Sequence, residues 1–243
     1  MRYCTGVLRN LCCYDRRKKG VVAVGTFDGR QADYIEGARR NVPGLDGLHR
    51  MAGLLLAERV PQDGRVLVVG AGGGLELKAL SEQQSGWKFD GVDPSSDMLA
   101  LAQKTIGNLS ERIALHNGNI SVAPAGPFDG AVCLLVFHHI SPEDRKVTLD
   151  GIRQRLRPGS PFVLAHVSFP LSEPAYSTWI ERHVKFGASS QMDADRRNAA
   201  KIGMRKAFIR SPEEEREYLQ EAGFTSITQF YQAISFRGWV AYA

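Results

Sequence analysis

The chain has 243 residues, 43% hydrophobic and 23% charged, a balance ordinary for a soluble globular protein of one large domain or two small ones. Its net charge of +5 resides in the first twenty residues, where Arg2, Arg9, Arg16, Arg17, Lys18 and Lys19 face only Asp15; the remainder carries 25 basic and 25 acidic side chains. A neutral body argues against an extended nucleic-acid footprint, and no apolar run approaches the roughly 20 residues that a membrane helix needs.

Residues 1–24 show no apolar periodicity and are expected to form a basic, disordered extension, with no apolar run of the kind a secretory leader requires. Cys4, Cys12 and Cys13 lie within it. With Cys133 they match neither a disulfide framework nor a metal site, so a cytoplasmic setting and no bound metal are expected. From Asp46 to Val60, Leu48, Met51, Leu54, Leu55 and Val60 recur at helical spacing, and Pro61-Gln62-Asp63-Gly64 ends that helix. Arg65–Val69 reads as a strand buried on both faces. A helix carrying Leu75, Leu77 and Leu80 follows, then a strand over Trp87–Val92 ending in Asp93, and a helix with Met98, Leu99, Ala102 and Ile106 on its apolar face.

Further strands are expected at Ile113–Leu115, Ala131–Phe137 and Pro161–Ser168, with a helix over Pro142–Leu156. This alternation predicts an α/β fold with a parallel sheet covered on both faces. Phe224–Tyr231 and Ile234–Tyr242 are too close in sequence for a crossover and predict an antiparallel C-terminal hairpin. Phe169 to Arg210 fits no such unit. Its aromatic residues, Tyr176, Trp179, His183, Phe186 and Phe208, are interleaved with eight basic ones from Arg182 to Arg210, and it reads as a helical insertion within one domain spanning residues 25–243.

The glycine stretch Gly70-Ala71-Gly72-Gly73-Gly74 follows the first buried strand. A P-loop would continue with Gly-Lys-Ser/Thr, but the chain continues Leu75-Glu76-Leu77. A dinucleotide site needs Gly or Ala three residues after the second glycine, and that position is Leu75. What remains is a ligand without phosphate that still demands close backbone approach. Asp93, at the end of the second strand, can accept from two ribose hydroxyls, and Asn119 can pair with an adenine amino group. Adenosine with an amino-acid tail, S-adenosyl-L-methionine, satisfies this set.

These segments resemble the class I S-adenosylmethionine-dependent methyltransferases from about Phe27 to Ala243. VLVVGAGGG is similar to their cofactor loop, GVDPSSDML to the ribose-binding strand end and GNI to the adenine loop; FDGAVCLLVFHHI, LRPGSPFVLAH and GWVAYA resemble later strands. The resemblance implies a Rossmann-like seven-stranded sheet, mostly parallel, with helices on both faces and residues 169–210 as a lid. It also implies a cofactor site lined by Gly70, Ala71, Gly72, Asp93, Pro94, Met98, Asn119, Ile120, Cys133 and Leu134. The family's acid two residues before the first glycine is Val68 here. FDGRQADYIEGARRNVPG and EEREYLQEAGF add a closer likeness to carboxy-S-adenosylmethionine synthases, although their carboxylate-binding arginine falls on Tyr218 and the tyrosine after their Val-Pro-Gly on Leu45.

His138 and His139, read as ending the fourth strand, and His166, ending the fifth, stand where open α/β sheets bind ligands. His138, His139 and Tyr34 are the catalytic candidates, and Arg40 joins Tyr34 as a residue that closes over the sulfonium. The expected reaction is methyl transfer to a small-molecule acceptor, without nucleic acid or membrane; a homodimer stays open. The alternatives are a transfer-RNA-modifying or carboxy-S-adenosylmethionine synthase-like enzyme, and a cofactor-binding protein without turnover.

Overall fold

The computed structural model describes residues 13–15, 20–22, 31–188 and 192–243. The extension expected over residues 1–24 lies outside the described residues apart from β1 (Cys13–Asp15) and β2 (Gly20–Val22), which pair antiparallel. Two helices follow, α1 (Gln31–Asn41) and α2 (Leu45–Ala57). The alternating units are β3 (Arg65–Val69), α3 (Leu75–Gln83), β4 (Lys88–Asp93), α4 (Ser96–Ile106), β5 (Ile113–Asn117), β6 (Gly130–Leu134), α5 (Pro142–Arg155) and β7 (Pro161–Val167). The insertion contributes α6 (Ala175–Gly187) and α7 (Ala194–Lys206). Then come α8 (Pro212–Glu221), β8 (Thr225–Ala233) and β9 (Phe236–Tyr242).

Seven of these strands form one sheet in the order β5-β4-β3-β6-β7-β9-β8. Pairing is parallel from β5 to β7, and β9 runs antiparallel to both β7 and β8, as the sequence pattern predicts. The chain steps outward from β3 to β4 and β5 on one side, then returns to build β6 and β7 on the other. A crevice therefore opens at the carboxyl ends of β3 and β6.

Strand alternation divides the core. Val66 and Val68 join Leu48 and Leu56 of α2, Leu77 and Leu80 of α3, and Ile180 of α6. Leu67 and Val69 pack on the opposite face with Leu149 and Ile152 of α5 and Leu219 of α8. Each fully buried aliphatic side chain contributes about 1.5–3 kcal/mol, which is why β3 carries an unbroken apolar run. Helix starts are fixed locally. The Ser141 hydroxyl caps α5, Ser211 and Glu214 form a reciprocal capping box at α8, and both helices begin with proline.

One strand departs from expectation. β6 stops at Leu134 instead of running to Phe137; Leu135 takes a left-handed φ of 64°, and Phe137–His139 form a 3-10 turn. Leu135 N–H still reaches Ala165 O at 2.6 Å, but the reversal swings Val136 onto Gly70, leaving no room for a Cβ there. His138 and His139 thus sit in a turn beyond the strand. His166 is the penultimate residue of β7, at the carboxyl edge as expected, and is fully buried.

That turn is held from below. The Arg145 guanidinium, fully buried on α5, pairs with Glu215 of α8 and donates to Phe137 O at 2.8 Å and Phe208 O at 2.9 Å. His166 Nε2 lies 3.3 Å from the other Glu215 oxygen, at ion-pair distance but without hydrogen-bond alignment, so its contribution is electrostatic. Burial alone would raise the Glu215 carboxyl, but His166 and Arg145 together hold it below its usual value. A depressed carboxylate adds stability that is present above its unfolded pKa and is lost as pH falls through the folded one. Glu215→Gln should therefore cost about 3–5 kcal/mol at neutral pH, because it strands a buried cation. The deficit should shrink as acid protonates the parent's Glu215. Urea denaturation at pH 7 and under acid measures both, and a neutral-pH loss below about 1 kcal/mol would rule out the pair as a brace.

Candidate functional site

The crevice begins at the glycine loop between β3 and α3. Gly70, Gly72 and Gly74 have φ of 77°, 49° and 79°, a region that side chains with a Cβ disfavour. Gly70 and Ala71 donate their N–H groups to Val92 O at 2.8 and 2.9 Å, which seats the loop against β4. A Cβ on Gly73 would run into the Tyr34 ring, and Gly73 N–H reaches the Tyr34 hydroxyl at 3.4 Å. α1 therefore lies across the loop through Tyr34, whereas Arg40, two turns later, is exposed.

Asp93 closes the crevice on the β4 side. One carboxylate oxygen accepts from Gly72 N–H and the other from Ser95 N–H, both at 2.9 Å. Burial raises its pKa, and the two backbone bonds counter that rise in part. Each oxygen has one donor, so lone pairs remain for two further hydroxyls. Pro94 next to it is exposed. Met98 is buried on the first turn of α4, with its Cε beside Gly72.

Asn119 is exposed, and its side-chain oxygen accepts from Ser121 N–H at 3.0 Å and Ser121 Oγ at 2.7 Å. The atom that an adenine amino group needs is thus engaged in capping the turn Ile120–Val122. Ile120, Ala71, Cys133 and Leu134 are buried. Burial pushes the Cys133 thiol well above its ordinary value, with the nearby Glu76 charge adding to the rise, so this cysteine is no nucleophile.

At the other lip stand the histidines. The His138 and His139 rings are 4.0 Å apart, and His138 stacks over His166 at 6.2 Å. His138 is buried, its Nδ1 without a hydrogen bond, while His139 is half-buried. Burial first, then the charge of His166, lowers His139 to about 4. Burial first, then the neighbouring histidines and Arg145, lowers His138 well below its usual value. His183 of α6 joins them from above; burial lowers it to about 4, and its Nδ1 lies 2.5 Å from Ser235 Oγ. These shifts favour the uncharged form of all three imidazoles at neutral pH.

Two residues escaped the sequence reading. Glu76, on the first turn of α3, is a buried carboxyl raised to about 8, by burial foremost and by the Asp93 charge, against the pull of its own backbone N–H. Its place between Leu75 and Leu77, on a helix packed against the sheet, was the signal. The other is Arg237, buried on β9 opposite His166. Among the described residues no three His, Cys, Asp or Glu side chains converge as a metal site, and no helix is long and apolar enough to cross a membrane.

The residues present fit S-adenosylmethionine. A carboxylate with free lone pairs ends β4, Met98 is buried beside Gly72, and Lys78, the nearest cation after the loop, is an exposed partner of Glu82 rather than a phosphate ligand. A family model described as a methyltransferase domain matches residues 67–162. The chain is 27% identical to the carboxy-S-adenosyl-L-methionine synthase of Chromohalobacter salexigens over 91% of this chain and 84% of that one. It is 25% identical to the Aeromonas salmonicida enzyme of the same name over 88% of this chain and 90% of that one. Among solved structures, human N-acetylserotonin methyltransferase in complex with its cofactor superposes with a TM-score of 0.55 at 16% identity, over 90% of this chain and 60% of that one. Haemonchus contortus phosphoethanolamine N-methyltransferase 2 gives 0.61 at 14%, over 87% and 56%. This chain thus spans little more than half the length of those two proteins, and they share its fold. Sheet order, loop and relatives agree: residues 67–162 match a methyltransferase-domain family, the chain has the fold of S-adenosylmethionine-dependent methyltransferases, and it is similar along most of its length to carboxy-S-adenosyl-L-methionine synthases.

Proposed function

We propose that the protein transfers the methyl group of S-adenosylmethionine to a small-molecule acceptor that enters between the carboxyl edge of the sheet and helices α6 and α7. The observation that carries this reading is the Asp93 carboxylate, fixed by Gly72 and Ser95 at the mouth of the glycine loop with lone pairs to spare. In this reading Asp93 holds the ribose, Gly70, Ala71 and Gly72 face the amino-acid tail, and Met98 and Ile120 flank the adenine. Pro94, Asn119, Cys133 and Leu134 complete the wall, with Tyr34 and Arg40 as the cover from α1.

The bound cofactor supplies an activated methyl on a sulfonium, so alignment of the acceptor provides much of the acceleration. The chain's own part is to orient that acceptor, exclude water through α6 and Tyr34, and take up a proton where the acceptor must lose one. His139, neutral and half-buried, is the base in this reading; His138 and His166 pack behind it.

Carboxy-S-adenosylmethionine synthesis is the second reading, favoured by the names of the curated relatives. Tyr218 stands where the resemblance calls for an arginine. Arg145, the cation 5.5 Å from the Tyr218 ring, is already engaged with Glu215. The methyl-transfer reading is therefore preferred.

Three outcomes are expected. In a thermal-shift screen S-adenosylhomocysteine should stabilise the chain and NAD should not; the reverse would restore a dinucleotide site. Asp93→Ala should weaken S-adenosylhomocysteine by about 2–4 kcal/mol, the value of two hydrogen bonds to a charged group. Because the Asp93 pKa is raised, parent affinity should fall as pH drops through it while Asp93→Asn shows no such slope; calorimetry reads both, and unchanged affinity in Asp93→Ala would remove Asp93 from the site. His139→Ala should lower transfer of labelled methyl to a desalted small-metabolite pool by about 10²–10⁴-fold, with cofactor affinity within a few-fold of parent. Equal loss of both would make His139 part of the cofactor pocket.

A further inference from the structure

We propose that Arg237 anchors a carboxylate on the acceptor, which makes the acceptor an acidic small molecule; this rests on the methyl-transfer reading above. Arg237 lies one residue inside β9 from the β8–β9 turn, opposite His166 in the strand register and so at the same sheet edge as His138 and His139. Only 4% of it is exposed. Nη1 donates to Ile234 O at 2.7 Å and Phe236 O at 2.9 Å, which pins the guanidinium to the hairpin tip. The Trp179 indole of α6 covers it, with the ring centre 5.2 Å from Cζ.

Among the described residues no carboxylate lies within ion-pairing distance of Arg237, whereas other cations of this region have one. Arg145 pairs with Glu215, Lys201 with Glu181, Arg196 with Asp193 and Arg210 with Glu214. A covered guanidinium without a counter-ion is unfavourable, and burial lowers its pKa. Nε and Nη2 make no hydrogen bond among the described residues, yet they are not among the sealed buried atoms, so this edge is not fully closed off. The Nε–Nη2 edge is the planar fork that pairs bidentately with a carboxylate. A second cation reinforces it. Arg182, exposed and with no acidic partner among the described residues, lies 4.6 Å from the same indole. Two guanidinium groups on one tryptophan form a site for an anion next to an apolar surface.

The test titrates the full chain, loaded with S-adenosylhomocysteine, with small aromatic acids and their primary amides: 3- and 4-hydroxybenzoate and indole-3-acetate against the matching amides. At least one acid should bind about tenfold or more tighter than its amide, as a charge-assisted pair requires. Arg237→Gln should abolish that preference, and Arg237→Lys, which keeps the charge but lacks the fork, should restore only part of it. Amides that match every acid, or a preference that survives Arg237→Gln, would overturn the proposal. Should Arg237→Gln unfold the hairpin, Arg182→Ala carries the test from an exposed position: the acid's advantage should fall several-fold, and an unchanged advantage would refute the two-cation site. Parent protein that fails to bind S-adenosylhomocysteine would sink the methyl-transfer reading instead, so the two failures are distinct.

Discussion

The buried Arg145–Glu215 pair is the constraint on which the histidine edge depends. Removing two charges from water is costly, and a pair on separate helices repays that cost only when its remaining hydrogen bonds are met. Here the guanidinium also donates to the carbonyls of Phe137 and Phe208, the first of which also accepts from Ile140 N–H. One side chain thereby joins α5, α8, the histidine turn and the end of the insertion. Placement of His138 and His139 follows from this junction rather than from the sheet, because β6 has already ended at Leu134.

The loop side of the crevice is governed by close approach. Val136 lies against Gly70 because Leu135 reverses the chain, and Tyr34 lies against Gly73 because α1 crosses the loop. Asp93 then ties Gly72 to the start of α4 through Ser95. The glycines thus have reasons within the protein as well as a ligand to admit. The same carboxylate that organises the loop in the free chain is the group that would meet the ribose, so loop order and cofactor binding are linked through one residue.

Much of this was legible from residues alone. The unbroken Val66–Val69 run, the turn signals and the short C-terminal connection predict the seven strands and their hairpin, because burial on two faces leaves a direct mark on composition. The end of β6 was not legible. The apolar run through Phe137 fits a strand, and nothing in its letters marks the left-handed Leu135 that ends it and brings Val136 against Gly70. Asn119 was legible as a loop residue, but its bonds to Ser121 depend on local geometry that the letters Gly-Asn-Ile do not carry. Arg237 carries no signal in the sequence, since having no counter-ion among the described residues is a property of what surrounds it in space.

Charge within the insertion separates the remaining functional classes. Eight basic residues between Arg182 and Arg210 suggest a phosphate-binding face when counted along the chain. In the fold, Lys201, Arg196 and Arg210 are paired with acids, and Arg205 donates to Ser177 Oγ and lies over the Tyr176 ring. Polyanion binding draws on many free cations tracking a backbone. Lys185, Arg197 and Lys206 are exposed without an ion pair among the described residues, but Arg182 and Arg237 are the two cations that lie over the same indole, that of Trp179. That focus suits one compact anion beside the methyl donor. In the proposed reading, selectivity for the acceptor lies at the junction of α6 with the β8–β9 hairpin rather than across the surface of the insertion.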